Sequence, residues 1–269
     1  MCGVKYVRRS GGAAAGIDRA LSYGKGRDMF GTKVSGRAVR IAAVAVLFAA
    51  VGSGVVWAKG RAAVRLFDGK TLKGWSVHSG FAKYHVEDGA IVGTTVPKSP
   101  NSFLCTNKEF GDFILEFEVK LDNPELNSGV QFRSQIAPTE MAFLFRDQTG
   151  KPRETVIPKD RVYGYQAEIA TEKTGTSGGV YDEARRGFMM VDVKSDPKAS
   201  AAFKDGQWNK YRIECKGSIM KTFINDVPCA TLRDSLTARG VIGLQVHAVG
   251  DTATPYTVRW RNIQIQVLD

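Results

Sequence analysis

The sequence predicts an all-β fold built as a two-sheet sandwich or jelly roll. From residue 65 onward, short alternations of apolar and polar residues are separated by glycine, asparagine and aspartate turns, without sustained helical periodicity. Residues 59–269 number 211, which is enough for a large core and typical of one all-β domain. Many short strands at this spacing favour two packed antiparallel sheets.

The individual strands follow from period-two alternation. The clearest case runs from Phe113 to Lys120, where apolar residues at the odd positions predict one buried face, and Tyr211, Ile213 and Cys215 repeat the pattern. Turns at 87–89, 216–218 and 225–226 predict hairpins. In chain order, the candidate strands are 84–86, 90–93, 103–105, 113–121, 128–133, 164–169, 208–216, 219–224, 228–232, 240–247 and 256–267.

Two stretches do not fit this pattern and are predicted to be long loops. Residues 135–160 are polar and interrupted by proline around an apolar island at 141–145, and residues 171–202 mix glycine, charged and aromatic residues. Loops of that length are usually functional or disordered. Each follows a strand with a polar face, so we expect both to form walls of a site.

The first 58 residues are predicted to be an export signal that precedes the fold. A basic stretch ending at Arg37 and Arg40 runs into the uncharged segment 41–58, and Val56 and Ala58 supply the small residues for cleavage before residue 59. The alternative is an uncleaved membrane anchor at residues 41–58. We expect residues 59–269 to form one exported domain, periplasmic or secreted.

Charge and cysteine content argue against several classes. The chain has a net charge of +11, but removing residues 1–58 leaves 29 basic and 25 acidic residues, a balance of +4. These charges are interspersed, so no nucleic-acid partner is predicted. Cys105, Cys215 and Cys229 are too few for a disulfide scaffold and match no zinc spacing, although a Cys215–Cys229 bridge stays open.

Three predicted strands carry two polar residues on one face, with apolar residues on the other. The pairs are Gln131 with Arg133, Gln166 with Glu168, and Gln245 with His247. A glycine precedes each pair by two positions, which leaves room for a bound molecule or another backbone. If these strands are neighbours, their polar faces form a floor for a ligand.

Glu168 and His247 are the candidate catalytic residues. Glu168 is a carboxylate in an otherwise core-like strand, where burial raises the pKa towards neutrality, and the alternative is a solvated edge-strand glutamate. His247 ends its strand, and an imidazole titrates near neutrality. Arg133 could hold a carboxylate or hydroxyl oxygens through its planar fork, or form a structural salt bridge instead. His78 and His85 attract no partner from sequence.

The segment 177–187 supplies further candidate substrate-binding residues, although charged clusters are usually solvated faces. These are Tyr181, Asp182, Glu183 and Arg185. No nucleophile elbow, phosphate-binding loop or dinucleotide fingerprint occurs. No cofactor is predicted with certainty, and a divalent metal held by Glu168, His247 and one further oxygen is chemically sensible.

Six short motifs follow one another in the predicted domain: LFDGKTLKGW at 66–75, NSGVQFR at 127–133, GYQAEI at 164–169, GGVY at 178–181, GLQVH at 243–247 and RNI at 261–263. In this order they resemble the 3-keto-disaccharide hydrolase family, also described as 3-keto-glucoside 1,2-lyase and 3-keto-2-hydroxyglucal hydratase. The resemblance runs from about residue 65 to residue 269. It implies a concanavalin A-like jelly roll, commonly exported in bacteria, that acts on a small saccharide.

The resemblance also implies a chemistry. A ketone at C3 of a sugar acidifies the hydrogen on C2, so a base can remove it, the C1 substituent can leave, and water can add to complete a net hydrolysis. In this hypothesis Glu168 and His247 share the acid and base roles, while Gln131, Arg133, Gln166 and Gln245 hold hydroxyls and the developing oxyanion. The alternative is a non-catalytic, lectin-like carbohydrate-binding module, in which aromatic platforms such as Tyr163, Tyr181 or Trp208 dominate binding.

Overall fold

Seventeen β-strands and one short helix occur in residues 62–123 and 125–268, which the computed structural model describes. The strands are β1 (Val64–Arg65), β2 (Trp75–His78), β3 (Lys83–Glu87), β4 (Ala90–Thr94), β5 (Ser102–Thr106), β6 (Phe113–Leu121), β7 (Ser128–Ile136), β8 (Met141–Arg146), β9 (Pro152–Ile157), β10 (Val162–Ile169), β11 (Val180–Glu183), β12 (Met189–Val191), β13 (Asn209–Lys216), β14 (Ile219–Ile224), β15 (Val227–Arg233), β16 (Val241–Val246) and β17 (Thr257–Val267). Helix α1 spans Pro197–Ser200.

The strands form two large antiparallel sheets and one separate hairpin. The eight-stranded sheet has the order β15-β14-β13-β6-β17-β4-β3, with β1 added on β17. The seven-stranded sheet has the order β12-β11-β10-β7-β16-β5-β2, and β8 and β9 form a separate two-stranded sheet. This arrangement confirms the predicted all-β, concanavalin A-like jelly-roll sandwich of two antiparallel sheets.

All eleven predicted strands are present, because their signal is local alternation. Strands β6 and β14 have the predicted bounds, and the others differ by one to three residues at their ends. In β6 every odd-numbered residue from 113 to 121 is buried and every even-numbered one is half-buried. A period of two therefore decided both where the strand lies and which face enters the core.

The core lies between the two sheets. The eight-stranded sheet contributes alternate residues of β6 and β13, including Phe117 and Tyr211, whose rings stack at 5.2 Å. The seven-stranded sheet contributes Phe132, Tyr165 and Leu244 from its three central strands. Along each of these strands, the residues that alternate with the core residues therefore point away from the core, onto the outer face of the seven-stranded sheet.

The two stretches predicted as long loops contain secondary structure. Residues 135–160 include the β8–β9 hairpin, and residues 171–202 include β11, β12 and α1. Strands β11 and β12 extend the seven-stranded sheet beyond β10. The prediction of loops was wrong in these places because the strands are short and lack sustained alternation.

The predicted export signal at residues 1–58 and the alternative anchor at residues 41–58 lie outside the described residues. Within the described residues, no helix has the length and apolar character required to cross a bilayer. Cys105, Cys215 and Cys229 are free thiols, so Cys215 and Cys229 are not bridged.

Candidate functional site

Polar side chains of three neighbouring strands meet on the outer face of the seven-stranded sheet. Strands β10, β7 and β16 are adjacent, and in register Gln166 faces Gln131, which in turn faces Gly243. A cavity of about 370 Å³ opens on this face. Its lining residues are Asn101, Asn127, Gln166, Glu168, Tyr181, Glu183, Gln245 and His247. The structure thus brings together the Gln166/Glu168 and Gln245/His247 pairs as a polar floor.

Glu168 is 9% exposed, and two side-chain amides hold its carboxyl group. Asn127 Nδ2 donates to Oε1 at 2.6 Å, and Gln166 Nε2 donates to Oε2 at 3.0 Å. Burial raises the pKa of Glu168 to about 7, and the nearby charge of Glu183 raises it further, while the two amide donors oppose the rise. Near neutral pH this group therefore exists in both protonation states and can accept or donate a proton.

A chain of hydrogen bonds fixes the orientation of the amide beside Glu168. Ser134 Oγ donates to Gln131 Oε1 at 2.7 Å, and Gln131 Nε2 donates to Gln166 Oε1 at 2.7 Å. Because its oxygen is already accepting, Gln166 presents its N–H group to Glu168. Gln131 is fully buried beneath the cavity lining, so it acts on the site through Gln166.

Gly129 makes space for a protein side chain in this structure. It pairs with Glu168 across the ladder, and a Cβ atom at this position would lie 2.3 Å from Cδ of Gln166. Because Gly129 has no side chain, the side chain of Gln166 has room beside it and donates a hydrogen bond to Glu168. At Gly164 and Gly243 the nearest atoms to such a Cβ also belong to protein, Ser134 Oγ and Cys105 Sγ, each at 3.0 Å.

His247 is half-buried at the end of β16 and lines the cavity. Its Nδ1 lies 2.7 Å from the carbonyl oxygen of Ala248. A carbonyl oxygen only accepts hydrogen bonds, so Nδ1 carries a proton and donates it. In the neutral ring, Nε2 is then left with its lone pair, which is the arrangement a proton acceptor requires.

Glu183 and Tyr181 come from β11 and form the wall of the cavity on the β10 side. Glu183 accepts hydrogen bonds from Arg161 and, at 3.2 Å, from Asn101 Nδ2. Tyr181 is half-buried; burial, followed by the nearby carboxylates, raises the pKa of its phenol, which therefore stays protonated at neutral pH. Both residues were predicted as substrate-binding, and the structure places both beside Glu168 and His247.

Gln245 is fully buried on the cavity floor, yet neither amide atom has a hydrogen-bond partner among the described residues. A buried amide without partners costs about 1 to 3 kcal/mol per unsatisfied group. A ligand hydroxyl can both donate to Oε1 and accept from Nε2. Gln245 therefore offers one donor and one acceptor to a polar molecule in this cavity.

Arg133 lies elsewhere, so the prediction that it shares a face with Gln131 was wrong. The ladders on both sides of β7 shift register after Gln131, and Arg133 has a φ of +48°. This β-bulge reverses the alternation and directs the guanidinium away from the cavity. Nε and Nη1 donate to the carbonyls of Gly111 and Gly217, and Nη2 pairs with Asp112 at 2.6 Å. The structural salt bridge is the interpretation that holds.

Asp182 and Arg185 also lie outside the cavity lining. Because side chains alternate along β11, Asp182 points to the opposite side from Tyr181 and Glu183. Arg185 follows in the turn, where Nη2 pairs with Asp182 Oδ1 at 2.8 Å and the guanidinium lies 4.7 Å from the ring of Tyr165. The prediction that they bind substrate is not supported by this placement, since both are buried against each other.

Three cavity residues or partners were missed in the sequence: Asn101, Asn127 and Arg161. Asn127 directly precedes β7 and opens the motif NSGVQFR, so its place before a polar-faced strand was a usable signal. Asn101 and Arg161 precede β5 and β10 and reach the site only through contacts distant in sequence. No local pattern could have identified them.

The described residues contain no cluster of three His, Cys, Asp or Glu side chains that could hold a metal ion. Glu168 and His247 line one cavity. Within the protein, the carboxyl group of Glu168 accepts hydrogen bonds from two side-chain amides, and His247 contacts a backbone carbonyl. Of the aromatic platforms expected for a binding module, Tyr181 lies at the cavity. Trp208 lies outside it, with the Arg261 guanidinium 4.0 Å from its ring.

Comparison with known proteins gives one family and several structural likenesses. The family model described as the 3-keto-alpha-glucoside-1,2-lyase-like domain matches residues 62–266. No curated protein matches the sequence. The structure is similar to a carbohydrate-binding module of Bacillus subtilis, with 16% identity, 72% of this chain and 95% of that chain covered, and a TM-score of 0.47. It is also similar to a Parabacteroides distasonis protein named as a candidate glycosyl hydrolase, with 18% identity, 79% and 95% coverage, and a TM-score of 0.49.

Proposed function

Because the chain belongs to the family of 3-keto-alpha-glucoside-1,2-lyase-like domains, we propose that it cleaves the glycosidic bond of 3-keto-glycosides. The reaction begins with removal of the proton on C2, which the neighbouring C3 ketone acidifies. The electron pair left on C2 forms a double bond to C1 as the C1–O bond breaks, and the leaving oxygen takes a proton. Addition of water to the resulting 2-hydroxyglucal completes a net hydrolysis.

The observation that carries this proposal is a buried carboxyl group with a pKa of about 7 in a cavity lined by amides. Removing a proton from carbon requires a base that is partly ionised at the working pH and shielded from water. Glu168 meets both conditions. Its bonds to Asn127 and Gln166 hold the carboxylate in one orientation before substrate binds.

Two proton-transfer groups are needed, and the cavity supplies Glu168 and His247. One group takes the C2 proton while the other, in its protonated form, delivers a proton to the leaving oxygen. The hydrogen bond from Nδ1 to Ala248 leaves Nε2 as the atom of His247 that exchanges a proton. Each group returns to its starting state when water adds, so the cycle needs no external acid.

Charge that develops on the C3 oxygen requires hydrogen-bond donors. The unpartnered Nε2 of Gln245 and the protonated phenol of Tyr181 are donors that line the cavity. Donors that are already oriented in a buried site stabilise such an oxyanion more than water does. Glu183, held by Arg161 and Asn101, is available to accept a hydrogen bond from a sugar hydroxyl.

A second cavity beside the Glu168 site can accommodate the leaving group. Asn127 also lines a second cavity of about 610 Å³, formed with residues of the segments 125–127, 170–174 and Asp205. The lining of this cavity combines apolar surface with hydroxyl and charged groups, which suit a second sugar ring. The shared Asn127 makes the two cavities direct neighbours.

The test is to incubate the purified protein with 3-keto-trehalose and 3-keto-lactose in deuterated water, with and without chelator, and to follow products by mass spectrometry and NMR. We expect product with deuterium at C2. Glu168→Gln should reduce kcat by about 10²- to 10⁴-fold, while Glu154→Gln, at an exposed position of β9, should not. Full turnover by Glu168→Gln would remove Glu168 from this role. Saturable saccharide binding without turnover by wild-type protein would favour a binding module instead.

A further inference from the structure

His78 and Ser79, at the end of the edge strand β2, make a set of contacts away from the cavity lining. The set reaches the segment 158–162, which links the β8–β9 hairpin to β10. His78 Nδ1 lies 2.6 Å from Asp160 Oδ1, and the backbone N–H of Ser79 donates to Asp160 Oδ2 at 3.1 Å. We refer to His78, Ser79 and Asp160 as the clamp.

The orientation of the His78 ring follows from its partners. An ionised carboxylate only accepts hydrogen bonds, so Nδ1 donates to Asp160. On the other side of the ring, Nε2 lies 2.9 Å from Ser76 Oγ, which donates its own proton to Asn107 Oδ1 at 3.0 Å. Asp160 also accepts two hydrogen bonds from Ser79. Its second carboxylate oxygen accepts from the backbone N–H, and its backbone carbonyl accepts from the hydroxyl, so Asp160 links the two segments.

The hydroxyl group of Ser79 holds the backbone on both sides of Arg161. Ser79 Oγ accepts from the N–H of Val162 at 2.8 Å and donates to the carbonyl of Asp160 at 3.3 Å. Arg161 is itself tied to residue 137, whose N–H donates to its carbonyl at 2.9 Å. The backbone from which the Arg161 side chain leaves is therefore fixed at three consecutive residues.

The side chain of Arg161 carries this restraint into the cavity. Its guanidinium lies 5.6 Å from the ring centre of Phe103 and donates to Glu183, a cavity-lining residue. Glu183 is 5% exposed, so losing this arginine would leave a buried carboxylate with one amide donor, Asn101. In register, His78 faces Phe103 and Phe103 faces Gln245, which places His78 two strands, or about 10 Å, from the cavity floor.

We propose that His78 and Ser79 are positioning residues that act through Asp160 and Arg161 to hold the carboxylate of Glu183 in the site. The catalytic consequence rests on the proposed function, whereas the positioning itself does not. Loss of the clamp lets residues 158–162 move and frees Glu183 from its arginine. Substrate binding then weakens, while Glu168 and His247 keep their own partners.

The experiment compares four variants of the full chain. His78→Leu removes the donor to Asp160, while His78→Asn places an amide N–H where Nδ1 stood and should restore it. Ser79→Gly removes the hydroxyl without strain, because Ser79 has a φ of +72°, a conformation that glycine adopts readily. His85→Leu, at a half-exposed histidine of the other sheet, is the matched control.

Two readouts separate positioning from chemistry. Amide hydrogen exchange of residues 158–162 and 180–183, measured without substrate, should accelerate in His78→Leu and Ser79→Gly but stay at the wild-type rate in His78→Asn and His85→Leu. KM for a 3-keto-glycoside should rise about three- to tenfold in the first two variants, the effect of one hydrogen bond, with kcat changed less than twofold.

Unchanged exchange at 158–162 and 180–183 in His78→Leu and Ser79→Gly would overturn the proposal. Faster exchange together with an unchanged KM would also overturn it, since the clamp would then not position Glu183 for binding. If wild-type protein turns over no 3-keto-glycoside, the proposed function fails, and the exchange of residues 180–183 still decides whether the clamp restrains the strand that carries Glu183.

Discussion

Glu168→Gln should change how the stability of the protein depends on pH. In the folded protein burial raises the pKa of Glu168 from its ordinary value of 4.5 to about 7. Below pH 4.5 both folded and unfolded chains keep the proton, so the titration of this side chain does not affect stability. Between pH 4.5 and 7 the unfolded chain loses the proton first, which favours unfolding, and the full loss of stability is reached above about pH 7.

The size of the effect follows from the two pKa values. At about 1.4 kcal/mol for each unit of pKa, the change from 4.5 to about 7 corresponds to about 3 kcal/mol. A glutamine at position 168 does not titrate, so the unfolding free energy of Glu168→Gln lacks this pH-dependent contribution. The difference in unfolding free energy, variant minus wild type, should therefore rise by about 3 kcal/mol between pH 4.5 and pH 8.

The assay is urea denaturation of both proteins at pH 4.5, 5.5, 6.5 and 8, with the denaturant slope compared at each pH. Working with the difference cancels the titration of every other group that the two proteins share. It also leaves the amide contacts with Asn127 and Gln166 as a constant offset, because these do not titrate. A difference that stays constant within about 1 kcal/mol across this range would refute the buried, neutral-pH titration of Glu168. Glu154→Gln, at an exposed position of β9, is the control for exchanging a glutamate for a glutamine.

Three further substitutions test other parts of the site. Gln245→Leu should raise the unfolding free energy by about 1 kcal/mol or more, because it removes two buried groups without hydrogen-bond partners, yet weaken saccharide binding about tenfold by calorimetry. Arg133→Ala should lower the unfolding free energy by about 3 kcal/mol or more in urea, because Asp112 and two carbonyls lose their donor, with kcat per folded molecule unchanged. Gly129→Ala should reduce kcat/KM more than tenfold, since its Cβ displaces Gln166, and cost about 1 to 3 kcal/mol of stability.

The parts of the site that the sequence predicted are those encoded by local alternation. Gln166 and Glu168 stand two positions apart in a strand whose intervening residue, Ala167, enters the core, so their common face could be read directly. The same holds for Gln245 and His247. That the two strands are near neighbours, separated only by β7, was an expectation from their shared polarity, and it follows in the structure from sheet order.

The residues that were placed wrongly depend on departures from regular geometry. Arg133 has the correct spacing from Gln131, but a bulge with positive φ intervenes, and an arginine gives no sign that it adopts that conformation. Asp182 and Arg185 lie in a segment predicted as a loop, where no alternation could separate the face of Glu183 from the opposite one. The clamp on Arg161 joins residues about 80 positions apart, beyond the reach of any local pattern.

The placement of Glu168 is itself an argument for a chemical role. Above pH 7 its burial costs about 3 kcal/mol of a folding free energy that is typically only 5 to 15 kcal/mol. A leucine or methionine at this position would remove that cost. Gly129 and the chain from Ser134 through Gln131 to Gln166 instead hold this carboxyl group in one orientation. A site that keeps a buried group at a cost in stability is expected where the reaction needs that group.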